Sequence, residues 1–231
     1  MFGLLPVLMA IPDEYTLIPP NSSCRIFHRA LMQGDCGSCA AFAVATAMSM
    51  RLCLNEQQDF IPSPYRLFDC TGRGCDDGMS LKEAAALARY GLGDIDASEQ
   101  AYGLPCDLRW EHRLGMLLRP MATTDPRHIQ RKLLAHGPLP GSIQTEHSHR
   151  NHAIVVVGWG SHPAPHWTIQ NSWGSEWGDE GRGNISLDTL LYTIDIDSHP
   201  STALQWVFVA VLAALAASTG VACWAVYYPQ R

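Results

Sequence analysis

Residues 33–54 read QGDCGSCAAFAVATAMSMRLCL, and this stretch decides how the chain is organised. Its first part, Gln33 to Cys39, is small and polar, with Gly34 and Gly37 beside two cysteines spaced C-x-x-C. The part that follows, residues 40–54, is almost unbroken apolar and rich in alanine, which predicts a buried helix starting at about Ser38 or Cys39. Their junction has chemical consequences. A thiol at the amino end of a helix lies near unpaired N–H groups and the positive end of the helix dipole, both of which favour its anion. A free thiol is only a few per cent thiolate at neutral pH, so a nucleophilic cysteine needs such help.

Upstream, residues 11–38 carry Pro12, Pro19, Pro20, Gly34 and Gly37 and read as extended chain and loop. Downstream, Ser80-Leu-Lys-Glu83 fits a capping box that opens a helix over residues 81–90, with Gly91 at its end. Asp125-Pro126 opens another helix, closed by His136-Gly137. Then the pattern changes to short β-type runs at Ala153–Val157 and His166–Gln170, with further strand over Asn184–Ile196. Helices first and strands later predict an α+β protein with a helical lobe and a sheet lobe, divided near residues 110–125.

Composition agrees with a cored globule: 47% of residues are hydrophobic and 16% charged. A net charge of −6 argues against nucleic acid as a partner, and the basic stretch from Arg109 to Arg131 is broken by Glu111 and Asp125. Residues 206–226, WVFVAVLAALAASTGVACWAV, contain no charge and show no amphipathic period. About 20 such residues span a bilayer as a helix, and Trp206, Tyr227 and Tyr228 stand where an aromatic belt would lie. The expectation is a single-pass membrane helix over residues 205–228, with a short tail at 229–231. The positive-inside preference places that tail, with Arg231, in the cytosol and the globule on the other side. Residues 1–10, MFGLLPVLMA, are apolar, end in a small residue and read as a short signal or leader, although they lack a basic n-region. Without a signal the same chain would be tail-anchored and face the cytosol.

The cysteines bear on that choice. Of eight, Cys223 lies in the expected span, leaving Cys24, Cys36, Cys39, Cys53, Cys70, Cys75 and Cys106. Three disulfides and one free thiol is the natural partition of seven in an oxidising compartment. The expected location of the globule is therefore lumenal (lysosome- or vacuole-like, or secretory) or extracellular.

Cys39 has candidate partners. The side-chain amide of Gln33 and the N–H groups at the helix start could face a developing oxyanion. His152 opens the strand AIVVV, which could aim it at the thiolate, and Asn171 ends the run WTIQN, where it could hold the imidazole in one tautomer. Two alternatives stay open from the residues alone. Cys36-Gly-Ser-Cys39 also fits a thioredoxin-like redox motif, which would want a preceding strand, or half of a zinc site completed by His147, His149 and His152.

Taken together, three segments resemble the papain and cathepsin cysteine proteases. They are Gln33-Gly-Asp-Cys-Gly-Ser-Cys39, Asn151-His152-Ala-Ile-Val-Val-Val-Gly-Trp-Gly160 and Gln170-Asn171-Ser-Trp-Gly-Ser-Glu-Trp-Gly-Asp-Glu-Gly181. The resemblance covers roughly residues 11–197 and implies a two-lobed papain-like fold over 11–200. It implies a Cys39–His152–Asn171 site, an oxyanion hole with Gln33, and Trp173 shielding the Asn–His pair. Substrate would meet Gly37, Ser38, Asp77, Gly78 and Asp195. The implied disulfides are Cys36–Cys75 and Cys70–Cys106, with Cys24–Cys53 looking like a bridge of the cathepsin B branch. In that branch an acidic residue, here Asp195, lets the S2 pocket accept arginine. Only 30 residues separate Cys75 from Cys106, too few for the occluding loop of that branch, which implies endopeptidase action. No metal or organic cofactor is implied, and the partners would be peptide or protein substrates and a membrane.

The chain also departs from the family pattern. Ala40 replaces the tryptophan that normally follows the nucleophile, leaving space beside the oxyanion region. In Cys75-Asp76-Asp77-Gly78, Asp77 replaces a glycine, which predicts strain if its φ is positive and a carboxylate facing the cleft. Only 13 residues (139–151) separate Gly137-Pro138 from His152, which implies a sheet lobe short of one strand and part of the S2 wall. The mature-like start Ile11-Pro12 follows ten residues, too few for the family's inhibitory propeptide. These departures leave a second reading, a papain-fold protein that binds peptides or partners at a membrane without cutting. A third, a tethered thiol oxidoreductase, requires Cys36 to be free.

Overall fold

The computed structural model describes residues 10–88, 93–95, 101–103, 105–106, 123–144 and 151–194. The expected membrane helix over 205–228, the tail at 229–231, most of the leader and most of the lobe boundary lie outside them, as do Asp195, His147 and His149. Among the described residues, no helix is long and apolar enough to cross a membrane.

Helix α1 (Cys39–Glu56) begins where the small-residue loop meets the alanine-rich run, and every residue from Ala40 to Cys53 is buried. A helix apolar on all sides belongs in the middle of a protein, and α1 packs on both the other helices and the sheet. Arg51 is buried within it and donates through Nε to the Pro138 carbonyl at 2.9 Å, tying α1 to the entry of the sheet lobe. Helix α2 (Pro64–Asp69) has Ser63 as N-cap and proline in its first turn, a start signal in a region where the sequence reading assigns no element. Helix α3 (Leu81–Ala88) opens on the expected capping box. The Ser80 Oγ accepts from the Glu83 N–H at 3.2 Å while the Ser80 N–H donates to Glu83 Oε2 at 2.8 Å. Helix α4 (Pro126–His136) is capped by the Asp125 carboxylate and ends at Gly137, whose φ of +86° suits glycine.

The sheet is antiparallel. Strands β2 (Leu139–Gln144), β3 (Asn151–Gly160), β4 (His166–Gln170), β5 (Arg182–Ser186) and β6 (Leu191–Thr193) lie in the order β5-β4-β3-β2-β6. A two-residue β1 (Tyr15–Thr16) pairs with the far end of β3, inside a stretch expected to be loop. After Gly137, residues 139–144 form β2, paired with β3 along its whole length. The further strand expected over 184–196 is found as β5 and β6, which turn apart after Ser186 and end on opposite sides of the sheet.

Strand β3 belongs to both hydrophobic cores. Ala153, Val155 and Val157 join the core of the helical lobe, while Ile154, Val156 and Trp159 pack with Ile129 and Leu133 of α4. Alternate side chains of a strand point to opposite faces, so the run AIVVV is apolar without a break because each face is covered. Disulfides join Cys24 to Cys53, Cys36 to Cys75 and Cys70 to Cys106. Cys39 is the free cysteine among the described residues.

Candidate active site

Cys39 is the first residue of α1. Ser38 stands before it as N-cap and makes no side-chain bond to the helix; its carbonyl accepts from the Ala41 N–H at 2.8 Å. The backbone N–H groups of Ala153, Ala40 and Cys39 all favour the Cys39 anion. Burial pushes the thiol up and is the largest influence on it, while these three N–H groups pull it down.

Ala153 follows His152 in β3 and lines the same cleft as Cys39, which brings the imidazole's own segment to the nucleophile's side. His152 bonds through Nε2 to Asn171 Oδ1 at 2.8 Å. The Ser172 N–H also donates to that Asn171 atom at 2.8 Å, which fixes it as oxygen and makes His152 Nε2 the protonated nitrogen. Nδ1 is then the ring nitrogen left for proton exchange. Burial lowers the His152 pKa, and the bond to Asn171 raises it. Trp173 stacks on the imidazole with centroids 4.7 Å apart, and Trp177 meets Trp173 edge-on at 5.6 Å.

Gln33 is held from every side. Its Nε2 donates to the Cys36 carbonyl at 2.8 Å, and its Oε1 accepts from Ser172 Oγ at 2.6 Å. Its backbone N–H donates to the Ser172 carbonyl at 2.9 Å. An amide NH2 carries two hydrogens, so one remains beyond the bond to Cys36.

The cleft between the lobes has a volume of about 860 Å³ and is lined by Cys39, Ala40, Asp77, Gly78, Ile143 and Tyr192, among others. Its sheet-side wall includes Ser142, Ile143 and Gln144 of β2. Gly37 and Gly78 sit together at the floor. A Cβ on Gly37 would lie 2.6 Å from the Cys75 carbonyl and 3.1 Å from Gly78 Cα, and the Gly37 N–H donates to that carbonyl at 2.8 Å. Asp77 is not strained: the positive φ, +64°, falls on Gly78 instead. The Asp77 carboxylate lines the cleft and accepts from the Gly74 N–H at 3.1 Å. Ser38 is fully buried, with its hydroxyl turned to Tyr102, so that side chain stands behind the cleft rather than on it. Cys36 is bonded to Cys75, which removes the free thiol that the oxidoreductase reading needs. Among the described residues, no cluster of three or more His, Cys, Asp or Glu side chains could hold a metal ion. A second cavity of about 500 Å³ lies by Ile11, Arg131 and Trp159 and contains none of the candidate residues.

The family model for papain family cysteine proteases matches residues 20–203. This chain belongs to that family. It is 27% identical over 213 residues to a cysteine protease of Blomia tropicalis, covering 75% of this chain and 62% of that protein. It is 26% identical over 212 residues to a cathepsin C of Schistosoma mansoni, covering 74% of this chain and 47% of that protein. The chain thus spans about half to three fifths of the length of these relatives. Its fold is that of a digestive procathepsin L 3 of Tenebrio molitor larval midgut, with a TM-score of 0.63 and 21% identity over 83% of this chain and 73% of that one. Within this family fold, three residues at the site carry contacts that the sequence reading assigns to none of them. Ser172 lies inside a quoted motif, whereas Tyr65 and Tyr102 stand in stretches with no periodic signal.

Proposed function

We propose that this chain is a cysteine endopeptidase acting through Cys39, His152 and Asn171. The observation that carries the proposal is that Cys39 and Ala153 line one cleft beside the His152–Asn171 pair. It sets the chain's free described thiol, at a helix start, against an imidazole of defined tautomer. In this reading the Cys39 thiolate attacks the scissile carbonyl, and the Gln33 amide with the Cys39 N–H stabilises the oxyanion. His152, protonated through Nδ1, donates to the leaving amine and then activates water to hydrolyse the acyl-enzyme. Trp173 keeps water from the Asn171–His152 bond, and Gly37, Asp77 and Gly78 form the floor along which substrate lies.

The finer claims are carried by sequence. Asp195 would favour basic P2 residues. Residues 206–226 would anchor the enzyme, with residues 11–200 as the protease domain on the lumenal or extracellular side. The three disulfides support an oxidising location. The cathepsin B-type assignment rests on the Cys24–Cys53 bridge, while a relative named above is a cathepsin C, so the proposal is held to a cathepsin-type endopeptidase.

One observation favours a second reading, a papain-fold peptide binder without activity. Burial pushes the Cys39 thiol up and the His152 imidazole down, and both directions oppose a thiolate–imidazolium pair. The test is to treat the full-length chain in detergent with an epoxysuccinyl peptide and locate the adduct by mass spectrometry. Stoichiometric labelling at Cys39 that disappears in His152→Ala is the expected result. Folded protein that stays unlabelled would sink the peptidase reading in favour of the binder. Fluorogenic peptides with arginine or leucine at P2, compared in Asp195→Ala, test the P2 claim. Carbonate extraction of membranes, with and without residues 206–226, tests the anchor.

A further inference from the structure

The two donors assigned to the oxyanion come from different segments: the Gln33 amide from the loop, the Cys39 N–H from the start of α1. Between them lies a turn with glycines at 34 and 37, Gly34 at a φ of +64°. Tyr102 bonds to both ends of that turn. Its hydroxyl donates to the Gln33 carbonyl at 2.8 Å and lies 2.5 Å from Ser38 Oγ. A phenol has one proton and here it goes to the carbonyl, so Ser38 is the donor to Tyr102. Ser38 is fully buried and directly precedes Cys39. The ring itself is fixed, edge-on to Tyr65 at 5.1 Å and to Phe68 at 5.9 Å. The neighbouring Tyr65 hydroxyl donates to the Met32 carbonyl at 2.7 Å, so the helical lobe grips two consecutive peptides of the loop. Burial raises the Tyr102 pKa to about 12, which keeps the phenol protonated over any working pH.

We propose that Tyr102 is a positioning residue of the oxyanion site, setting the distance between the Gln33 amide and the Cys39 N–H by bonding to the Gln33 carbonyl and the Ser38 hydroxyl at once. The proposal rests on the peptidase reading above. Hydrogen-bond donors stabilise a transition state only when aimed at where charge develops, and losing a direct donor lowers kcat by about a hundredfold or more. Loss of the residue that aims two donors is expected to lower kcat less, by about tenfold.

The test uses Tyr102→Phe in the full-length chain, which keeps the ring contacts and removes only the hydroxyl. Hydrolysis of a peptide amide is expected to lose about tenfold in kcat with KM within about twofold. Alkylation of Cys39 by iodoacetamide, a displacement at carbon that needs no oxyanion hole, is expected to keep its rate and pH profile. Ser38→Ala removes the other end of the same relay and is expected to lower kcat similarly, the double variant being no worse than Tyr102→Phe. An unchanged kcat in both variants overturns the proposal. So does a parallel fall in kcat and alkylation, which would mark a general loss of structure. A wild-type chain that hydrolyses no peptide would refute the peptidase reading instead. Hydrogen exchange then decides the positioning role by itself. Faster exchange at the Gln33 side chain and the Cys39 N–H in Tyr102→Phe supports it, and unchanged exchange at both overturns it.

Discussion

Trp173 lies against His152 with ring centroids 4.7 Å apart and planes 27° from parallel, and the residue as a whole is still 41% exposed. The indole therefore covers one face of the imidazole. Burial is the leading cause of the lowered His152 pKa, so Trp173→Ala is expected to raise it towards the ordinary histidine value of about 6.5. An NMR titration of the imidazole in a Cys39→Ala background reads this without coupling to the thiol. The linkage has a definite sign. A histidine with a depressed folded pKa contributes stability in full above about pH 6.5, and loses it as pH falls towards the folded value. Trp173→Ala should accordingly flatten the loss of thermal stability below that pH.

Asn171→Ala should move the same titration the other way. The bond to Asn171 raises the His152 pKa, and removing it leaves burial unopposed. In the peptidase reading the alkaline limb of kcat/KM then shifts to lower pH, and the rate falls by about ten- to a hundredfold because both tautomers become available. A pH–rate profile on a fluorogenic peptide measures both effects. An alkaline limb that stays in place would show that Asn171 does not set the histidine's state.

Gly37→Ala is expected to disturb the cleft floor rather than the chemistry. The new methyl would press on the Cys75 carbonyl at 2.6 Å and on Gly78 Cα at 3.1 Å, driving apart two backbones that meet because neither carries a side chain there. KM for peptides should rise several-fold while iodoacetamide alkylation of Cys39 changes little. Steady-state kinetics beside alkylation rates would separate the two.

Glu83 connects the cleft floor to α3. Its carboxylate is held down to about pKa 2, first by Arg73 and then by the N–H and hydroxyl of Ser80. Arg73 also donates to the Gly78 carbonyl at 3.0 Å. A depressed carboxylate contributes stability in full above its unfolded pKa of about 4.5, and the contribution disappears as pH falls through about 2. Hydrogen-exchange protection factors of the first-turn amides of α3, taken relative to the intrinsic rates at each pH, should fall across that window in the natural chain. In Glu83→Gln they should be lower throughout and change little across it.

The parts of the fold that could be read in advance are those whose pattern is local. The alanine-rich run gave away α1, Ser80 and Glu83 marked α3, and AIVVV marked β3, because capping and burial on both faces write directly into composition. No element was read over residues 139–144, where Pro140 and Gly141 are residue types that strands disfavour. A Cβ on Gly141 would stand 2.8 Å from the Leu191 side chain on β6, a partner fifty residues away. At the site, Cys39, His152, Asn171 and Gln33 were legible through their motifs. Tyr102 was not, since its contacts to residues 33 and 38 depend on how the chain folds back, and no spacing along the chain encodes them. Asp77 misled for a related reason: the left-handed conformation could be assigned to the motif but not to one of its two residues, and it belongs to Gly78.

Because β3 supplies Ala153, Val155 and Val157 to one core and Ile154 and Val156 to the other, pulling that strand away strips apolar cover from both sides at once. The two lobes are therefore expected to open as one cooperative unit and not as two foldons in series. His152 rides at the end of this strand. Loss of the imidazole's support is expected to expose the interior around α1 as well, so native-state hydrogen exchange in β3 and α1 should report one common opening.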